Sequence, residues 1–323
     1  MQTSPFGDTG IQLSRLCLGT MMFGPKTSRD DSVAIMHRAL EAGIGFWDCA
    51  AMYGDGLSER IVGEAMAGRR DRVFLATKVH KGLTRDDIVS SCEESLQRLD
   101  TDYIDLFQIH WPAEGMNLIE IARAFDELIR AGKVRFAGCC NYGAYLMALS
   151  RQSAEREGLA TLGSNQIPYN PIERGAEIEL LPYCASENIP VMVYRPVSMG
   201  LLTGKYRQGR PAPEGSRGQT DERIANWLAR YGEAIERFVA RAKQKGVAPA
   251  ALASAWLLVN RAPIFPIVGV SRMEQLEEAL TATEIAMDEA ERAEIAGWFD
   301  AAPWEEAGGN FPPLRRTFGL IER

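Results

Sequence analysis

The chain has 323 residues, 46% of them hydrophobic and 24% charged, with a formal net charge of -7. That composition is of an ordinary folded protein, and its mild acidity argues against nucleic acid as the main partner, because phosphate binding needs a basic face. No apolar run approaches the roughly 20 residues that span a bilayer, and the first residues lack the pattern of a secretory signal, so a cytoplasmic protein without a membrane partner is expected.

In chain order, residues 4–14 read as a short hairpin turned by Gly7, Asp8 and Gly10. Eight apolar, β-rich runs follow, at 15–19, 44–48, 73–78, 104–110, 134–140, 162–167, 191–194 and 264–268. Amphipathic helical patterns lie between them. Over 87–99 one face collects Ile88, Cys92, Ser95, Leu96 and Leu99, and over 118–130 another collects Leu118, Ala122, Phe125 and Ile129. Near-continuous apolar strands alternating with such helices imply parallel strands, covered by helices through right-handed crossovers. Eight units predict a (β/α)8 barrel in a single domain spanning 1–323; an open doubly wound sheet is the alternative the same pattern permits. From about Met199 to Thr220 the chain is too long and too rich in Gly, Pro and Arg for a simple connector, which predicts a functional loop. After about Gly297 the density of aromatics (Trp298, Phe299, Trp304, Phe311, Phe318) predicts packing rather than a free tail. The six cysteines show no C-x-x-C spacing, so neither a zinc site nor a disulfide framework is signalled and buried thiols are expected.

The polar residues that interrupt this pattern share one location. Asp48 ends the second run, Lys78 the third and His110 the fourth; Asn141 follows the fifth, Gln166 lies at the end of the sixth and Tyr194 ends the seventh. Taken singly, each can mark only the point where a buried strand meets water. In a barrel, however, all carboxyl ends share one face, where such folds build their sites. Tyr53 lies five residues beyond Asp48, in a turn of small residues and glycine.

Together these groups suit one chemistry. A phenol with a reference pKa of about 10 is a poor proton donor near neutrality; the Lys78 ammonium is expected to lower it, with Asp48 holding the lysine. His110 would donate a hydrogen bond to a carbonyl oxygen and orient it toward Tyr53. Such a set protonates an oxygen as it becomes an alkoxide, and it contains no nucleophile. The hydride donor must come from outside the protein, and the amides of Asn141 and Gln166 suit a nicotinamide carboxamide.

The segments "LGTMMFG" (18–24), "FWDCAAMYGDGLSERIVGEAM" (46–66), "ATK" (76–78), "DLFQIHWP" (105–112), "NQIPYN" (165–170), "GLLTGKY" (200–206) and "IVGVSRMEQLEEAL" (267–280) resemble, in that order, the aldo-keto reductase family. The resemblance covers nearly the whole chain. It implies a catalytic tetrad on Asp48, Tyr53, Lys78 and His110, a nicotinamide amide held by Asn141 and Gln166, and a nicotinamide ring stacked on Tyr194. It also implies NADPH lying extended across the carboxyl face of a barrel, without a Rossmann motif; no G-x-G-x-x-G occurs here. Further cofactor contacts implied by the matched segments are Gly19, Thr20, Gly200, Leu201, Lys205, Gly269, Ser271, Arg272, Gln275 and Glu278. Arg217, with Lys205, Arg207 and Arg210, is expected to approach a pyrophosphate from the 199–220 loop. Expected substrate walls are Met22, Phe23, Met52, Tyr53, Trp111 and the tail aromatics, with His80 on the rim and Arg195 and the tail Arg315 and Arg316 able to face the same cavity. The carbonyl substrate, apolar or polar and sugar-derived, stays open.

Departures from the family pattern are informative. Cys49 and Cys140 replace a threonine and a serine, and Arg195 stands where "Y-S-P" is usual. Arg195 reads either as a solvated strand-end cation or as a partner for a cofactor phosphate or an anionic substrate. Ser271 and Glu274 read as an S-x-x-E capping box, and Arg272 as the charge for an adenosine 2′-phosphate; with Ser271 only a cap and Arg272 only solvated, NADH would be an equal cofactor. Two other functions fit a barrel: a cofactor-binding regulatory subunit, and a glycosidase with two opposed carboxylates, for which Asp48 lacks an obvious partner in Asp105 or Glu114.

Overall fold

Eight parallel strands close into a barrel in the computed structural model, which describes residues 1–299. Ahead of it, β1 (Thr3–Pro5) pairs antiparallel with β2 (Gln12–Ser14), the predicted hairpin. The barrel strands are β3 (Cys17–Gly19), β4 (Phe46–Asp48), β5 (Phe74–Val79), β6 (Ile104–Ile109), β7 (Val134–Cys140), β8 (Asn165–Pro168), β9 (Val191–Tyr194) and β10 (Ile264–Gly269). Each of the eight runs carries one strand. β10 pairs with both β3 and β9, so the sheet has no free edge and the open doubly wound alternative is excluded.

Helices α1 (Arg29–Glu41), α2 (Leu57–Met66), α3 (Arg85–Leu99), α4 (Leu118–Arg130), α5 (Ala144–Arg156) and α6 (Leu180–Ser186) each follow a barrel strand. After β9 come two, α7 (Glu222–Gln244) and α8 (Pro249–Leu258); α9 (Met273–Leu280) and α10 (Glu289–Trp298) follow β10. Helix α3 buries the predicted face Ile88, Cys92, Ser95, Leu96 and Leu99, and a Thr84–Asp87 capping box starts it. In α4 the burial is shifted. Ile121, Ala124 and Leu128 are buried beside Ala122 and Phe125, whereas Leu118 and Ile129 sit at the edges of the face, which widens where neighbouring helices close over it.

Alternate strand residues fill the barrel. Phe46, Phe74 and Phe265 meet at its amino end, and the hairpin inserts Phe6 among them with ring centroids 5.3–5.7 Å away. The hairpin therefore plugs the end opposite the carboxyl rim. In the 199–220 loop, short 3-10 turns span Ser198–Thr203 and Arg217–Gln219, and buried Tyr206 accepts a bond from the Gly218 amide. Of the tail aromatics, Phe299 packs on Tyr231 and Phe238, and Trp298 lies under the guanidinium groups of Arg237 and Arg241. Trp304, Phe311, Phe318, Arg315 and Arg316 fall outside the described residues. All six cysteines are buried free thiols. No helix among the described residues is long and apolar enough to cross a membrane.

Candidate active site

The strand order brings the polar rim residues together. Asp48 ends β4, Lys78 is the penultimate residue of β5, and His110 follows β6; Gln166 lies in β8 and Tyr194 ends β9. Tyr53 arrives on the tight turn between β4 and α2, where Gly54, Asp55 and Gly56 all have left-handed backbone, a conformation that costs glycine little. Lys78 is fully buried, and Asp48 is 2% exposed. The Lys78 Nζ donates to both carboxylate oxygens of Asp48 at 2.8 Å, to the Cys49 carbonyl at 2.6 Å and to the Tyr53 hydroxyl at 3.3 Å. The His110 ring stands edge-on to Tyr53 with centroids 6.2 Å apart.

Electrostatics correct one expectation. Burial pushes the Tyr53 phenol above its ordinary range; Lys78 pulls it down but does not win, and Asp48 adds to the rise. Tyr53 is thus kept as a protonated phenol, a store of one proton. For Lys78, desolvation acts downward, yet Asp48 and then Tyr53 carry the net shift upward, which keeps the ammonium charged. His110 is held neutral, at about 3, by desolvation, then Lys78 and His80. A neutral imidazole still offers one N–H donor.

The amides tie strand ends to one another. Asn141, with left-handed backbone, donates from Nδ2 to the His110 carbonyl at 3.0 Å and accepts at Oδ1 from the Tyr194 hydroxyl at 2.7 Å. Gln166 donates from Nε2 to Asp48 Oδ1 at 2.8 Å and to the Met192 sulfur at 3.9 Å, while among the described residues nothing donates to its Oε1. Arg195 neither dangles in solvent nor stands free: its guanidinium lies 3.2 Å from buried Glu173, which also accepts from Asn170, and 5.2 Å from the Tyr194 ring centroid. Sequence reading missed Asn170 and Glu173. The signal was "NPIE", an Asx turn in which Asn170 Oδ1 accepts from the amides of Ile172 and Glu173. It also missed Glu59, which is buried and accepts from Thr77 Oγ1 and Arg98 Nε, each at 2.6 Å, fastening α2 behind Lys78.

Other expected residues divide by exposure. Thr20 is buried, donating to the Asp48 carbonyl and accepting from Ser58. Gly19 is required by packing, since a Cβ there would stand 2.7 Å from Ile267. Gly200 has φ 96°, Leu201 is core, Lys205 is exposed over the Tyr206 ring and Arg217 is half-buried. Gly269 is exposed, and a Cβ there would meet no atom of the described residues within 4 Å. Ser271 is not an N-cap: α9 starts after Arg272, and the backbone amide and hydroxyl of Ser271 both donate to Gln275 Oε1, at 2.8 and 3.1 Å. The longer Gln275 reaches back one turn and takes the amide that Glu274 was expected to serve. Arg272 and Glu278 are exposed. Phe23, expected as a pocket wall, is fully buried in the core, because its backbone turns inward to bond Thr20. Met52 and Trp111 are 48% and 46% exposed, Met22 is half-buried and His80 exposed, all on loops at the carboxyl face.

Among the described residues, neither Asp105 nor Glu114 forms an opposed carboxylate pair with Asp48. Asp105 is committed to Arg70, Arg135 and the Leu75 amide, and Glu114 is exposed past the rim. A family model described as the aldo/keto reductase family matches residues 15–298. The chain is 35% identical to an uncharacterized oxidoreductase, YrpG, of Bacillus subtilis, over 89% of this chain and 93% of that protein. It is 39% identical to the aldo-keto reductase YhdN of the same organism over 64% of this chain and 66% of that one. Against the versiconal hemiacetal acetate reductase of Aspergillus parasiticus, identity is 29% over 89% of this chain and 94% of that one.

Proposed function

The chain belongs to the aldo/keto reductase family, and from that premise we propose that it is an NADPH-dependent reductase interconverting a small carbonyl compound and its alcohol, with Tyr53 as general acid and base. The observation that carries this reading is the fully buried Lys78, bonded at once to Asp48 and to the hydroxyl of Tyr53. When bound, a reduced nicotinamide supplies the hydride. The residues around the rim suit such a group. Gln166 Oε1 offers an acceptor for an amide, Asn141 and the Tyr194 ring lie beside it, and among the described residues nothing stands within 4 Å of a Cβ at Gly269. Gly200, Leu201, Lys205 and Arg217 would face its phosphates, and Ser271, Arg272, Gln275 and Glu278 its adenosine end, with NADH as the second cofactor to be compared. Arg195 would reach either a phosphate or an anionic substrate only by sharing or leaving Glu173.

The protein's own groups move the proton. A carbonyl oxygen seated between Tyr53 and His110 receives a hydrogen bond from the neutral imidazole and the proton from the phenol as negative charge grows on it. Lys78 then stabilises the phenolate left behind, and Asp48 keeps the ammonium in place. Met22, Met52, Trp111 and His80 form the substrate walls, mostly apolar with one polar edge. A panel of aliphatic, aromatic and sugar-derived aldehydes, with NADPH or NADH oxidation followed by absorbance, tests the reading. Absence of turnover with every compound and both cofactors would refute it.

A further inference from the structure

Gln166 is tied into the barrel by the end of its amide that would not face a cofactor. Its Nε2 points both hydrogens into the barrel, one toward Asp48 Oδ1 at 2.8 Å and the other toward the weak acceptor Met192 Sδ at 3.9 Å. The same Asp48 oxygen accepts from Lys78 at 2.8 Å, and Lys78 reaches the Tyr53 hydroxyl at 3.3 Å. Gln166 and Asp48 are 3% and 2% exposed, so the chain of bonds from Gln166 through Asp48 and Lys78 to Tyr53 starts in a medium where neighbouring hydrogen bonds polarise one another.

We infer that Gln166 is a positioning residue for proton transfer, coupling occupancy of its Oε1 by the cofactor's amide to the hold of Lys78 on Tyr53. The inference rests on the reductase reading above. A donor at Oε1 draws electrons through the amide and makes Nε2–H the better donor to Asp48. An Asp48 oxygen better satisfied by Gln166 pulls less on Lys78. More of the ammonium's field then falls on the Tyr53 oxygen, where negative charge appears as the phenol gives up its proton. A glutamate at this position would set a second carboxylate against Asp48, and an asparagine is one methylene short of serving both ends.

The test uses Gln166→Met, which keeps the shape and removes both ends of the amide, with benzaldehyde as probe substrate. Two cofactors are compared: NADPH and its acetylpyridine analogue, whose methyl ketone cannot donate to Oε1. Dissociation constants come from quenching of protein fluorescence, and turnover is read at saturation. Gln166→Met is expected to weaken NADPH binding about threefold to tenfold and, beyond that, to lower kcat about tenfold. The ratio of kcat with NADPH to kcat with the analogue should shrink about fivefold in the variant, because the intrinsic difference between the cofactors is common to both proteins and cancels. Weaker binding with full kcat, or an unchanged ratio, overturns the relay and leaves Gln166 a cofactor holder. A native chain that binds neither cofactor overturns the reductase reading and the relay together, so the two failures are distinguishable. Should Gln166→Met not fold, Gln166→Asn is expected to show the same fall in kcat, and full kcat there overturns the relay.

Discussion

The Tyr53 hydroxyl lies 3.3 Å from Lys78 Nζ, the longest of the four polar contacts of that ammonium. The three shorter ones, to Asp48 and the Cys49 carbonyl, fix the lysine whether or not the phenol is present. Tyr53→Phe should therefore remove the proton donor and leave its surroundings standing. Turnover is expected to fall about 10²–10⁴-fold, while NADPH affinity stays nearly constant and unfolding free energy changes by about 1 kcal/mol or less. Near-normal turnover across several aldehydes would remove Tyr53 from the chemistry.

Lys78 carries a structural charge as well. It and Asp48 are both out of water, so Lys78→Met leaves a buried carboxylate whose strongest partner is gone. Breaking such a pair from one side costs about 3–5 kcal/mol, whereas replacing both members is far milder. Urea unfolding should show Lys78→Met strongly destabilised, and the double variant Lys78→Met with Asp48→Leu recovering most of the loss. Both should lack turnover. Equal destabilisation of the single and double variants would mean the pair is not the source of the cost.

Neither acid of the site titrates near neutrality. His110 is held at about 3 by desolvation, then Lys78 and His80, and Tyr53 is pushed above its ordinary range by burial against the pull of Lys78. The reduction rate should be flat within about twofold between about pH 5 and 9. An inflection near 6.5 would mark His110 as an ordinary histidine; one near 8 would mark a phenol lowered by Lys78. The same shift bears on stability. An unfolded histidine takes its proton near about 6.5, but folded His110 refuses it until about 3. Its contribution is fully present above the first value and lost as pH falls toward the second. The acid unfolding midpoint of His110→Asn should accordingly drop, and an unchanged midpoint would count against the shift.

Why the strands were readable and the bonds were not is visible in single residues. The apolar runs had to be buried on both faces, so "VFLATK" announced β5 and the position of Lys78 close to its end. Which atom Lys78 meets depends on how far β4 and β5 are staggered, and that is a property of barrel closure. Proximity of Lys78 to Tyr53 was legible for this reason, but the burial that outweighs it was not. Gln166 and Asn141 read in the sequence as ligand amides, yet each also ties strand ends, because an amide has donors and an acceptor to satisfy at once. Phe23 misled through its place just past the first barrel strand: the turn at Thr20 folds it into the core. The ion pair of Arg195 was not legible either, since its partner Glu173 comes from a different strand's loop.

On the proposed reading, cofactor choice turns on Arg272. Helix α9 starts without a side-chain cap, and the Ser271 amide just ahead of it is already taken by Gln275, so a phosphate there would depend more on the side-chain cation. Arg272 is 71% exposed on its side chain, and its Nε is 4.0 Å from Glu274, the outer limit of an ion pair. Surface pairs of that kind hold a side chain weakly, which leaves the guanidinium free to turn toward a 2′-phosphate. Arg272→Ala should then cost NADPH about 1.5–3 kcal/mol, or about 10- to 150-fold in dissociation constant, and change NADH little. Salt should narrow the difference, because the contact is solvent-exposed. Fluorescence titration of the native protein and the variant with both cofactors decides the matter: equal losses for NADPH and NADH, or a native preference for NADH, would assign the 2′-phosphate elsewhere or to no residue of this chain.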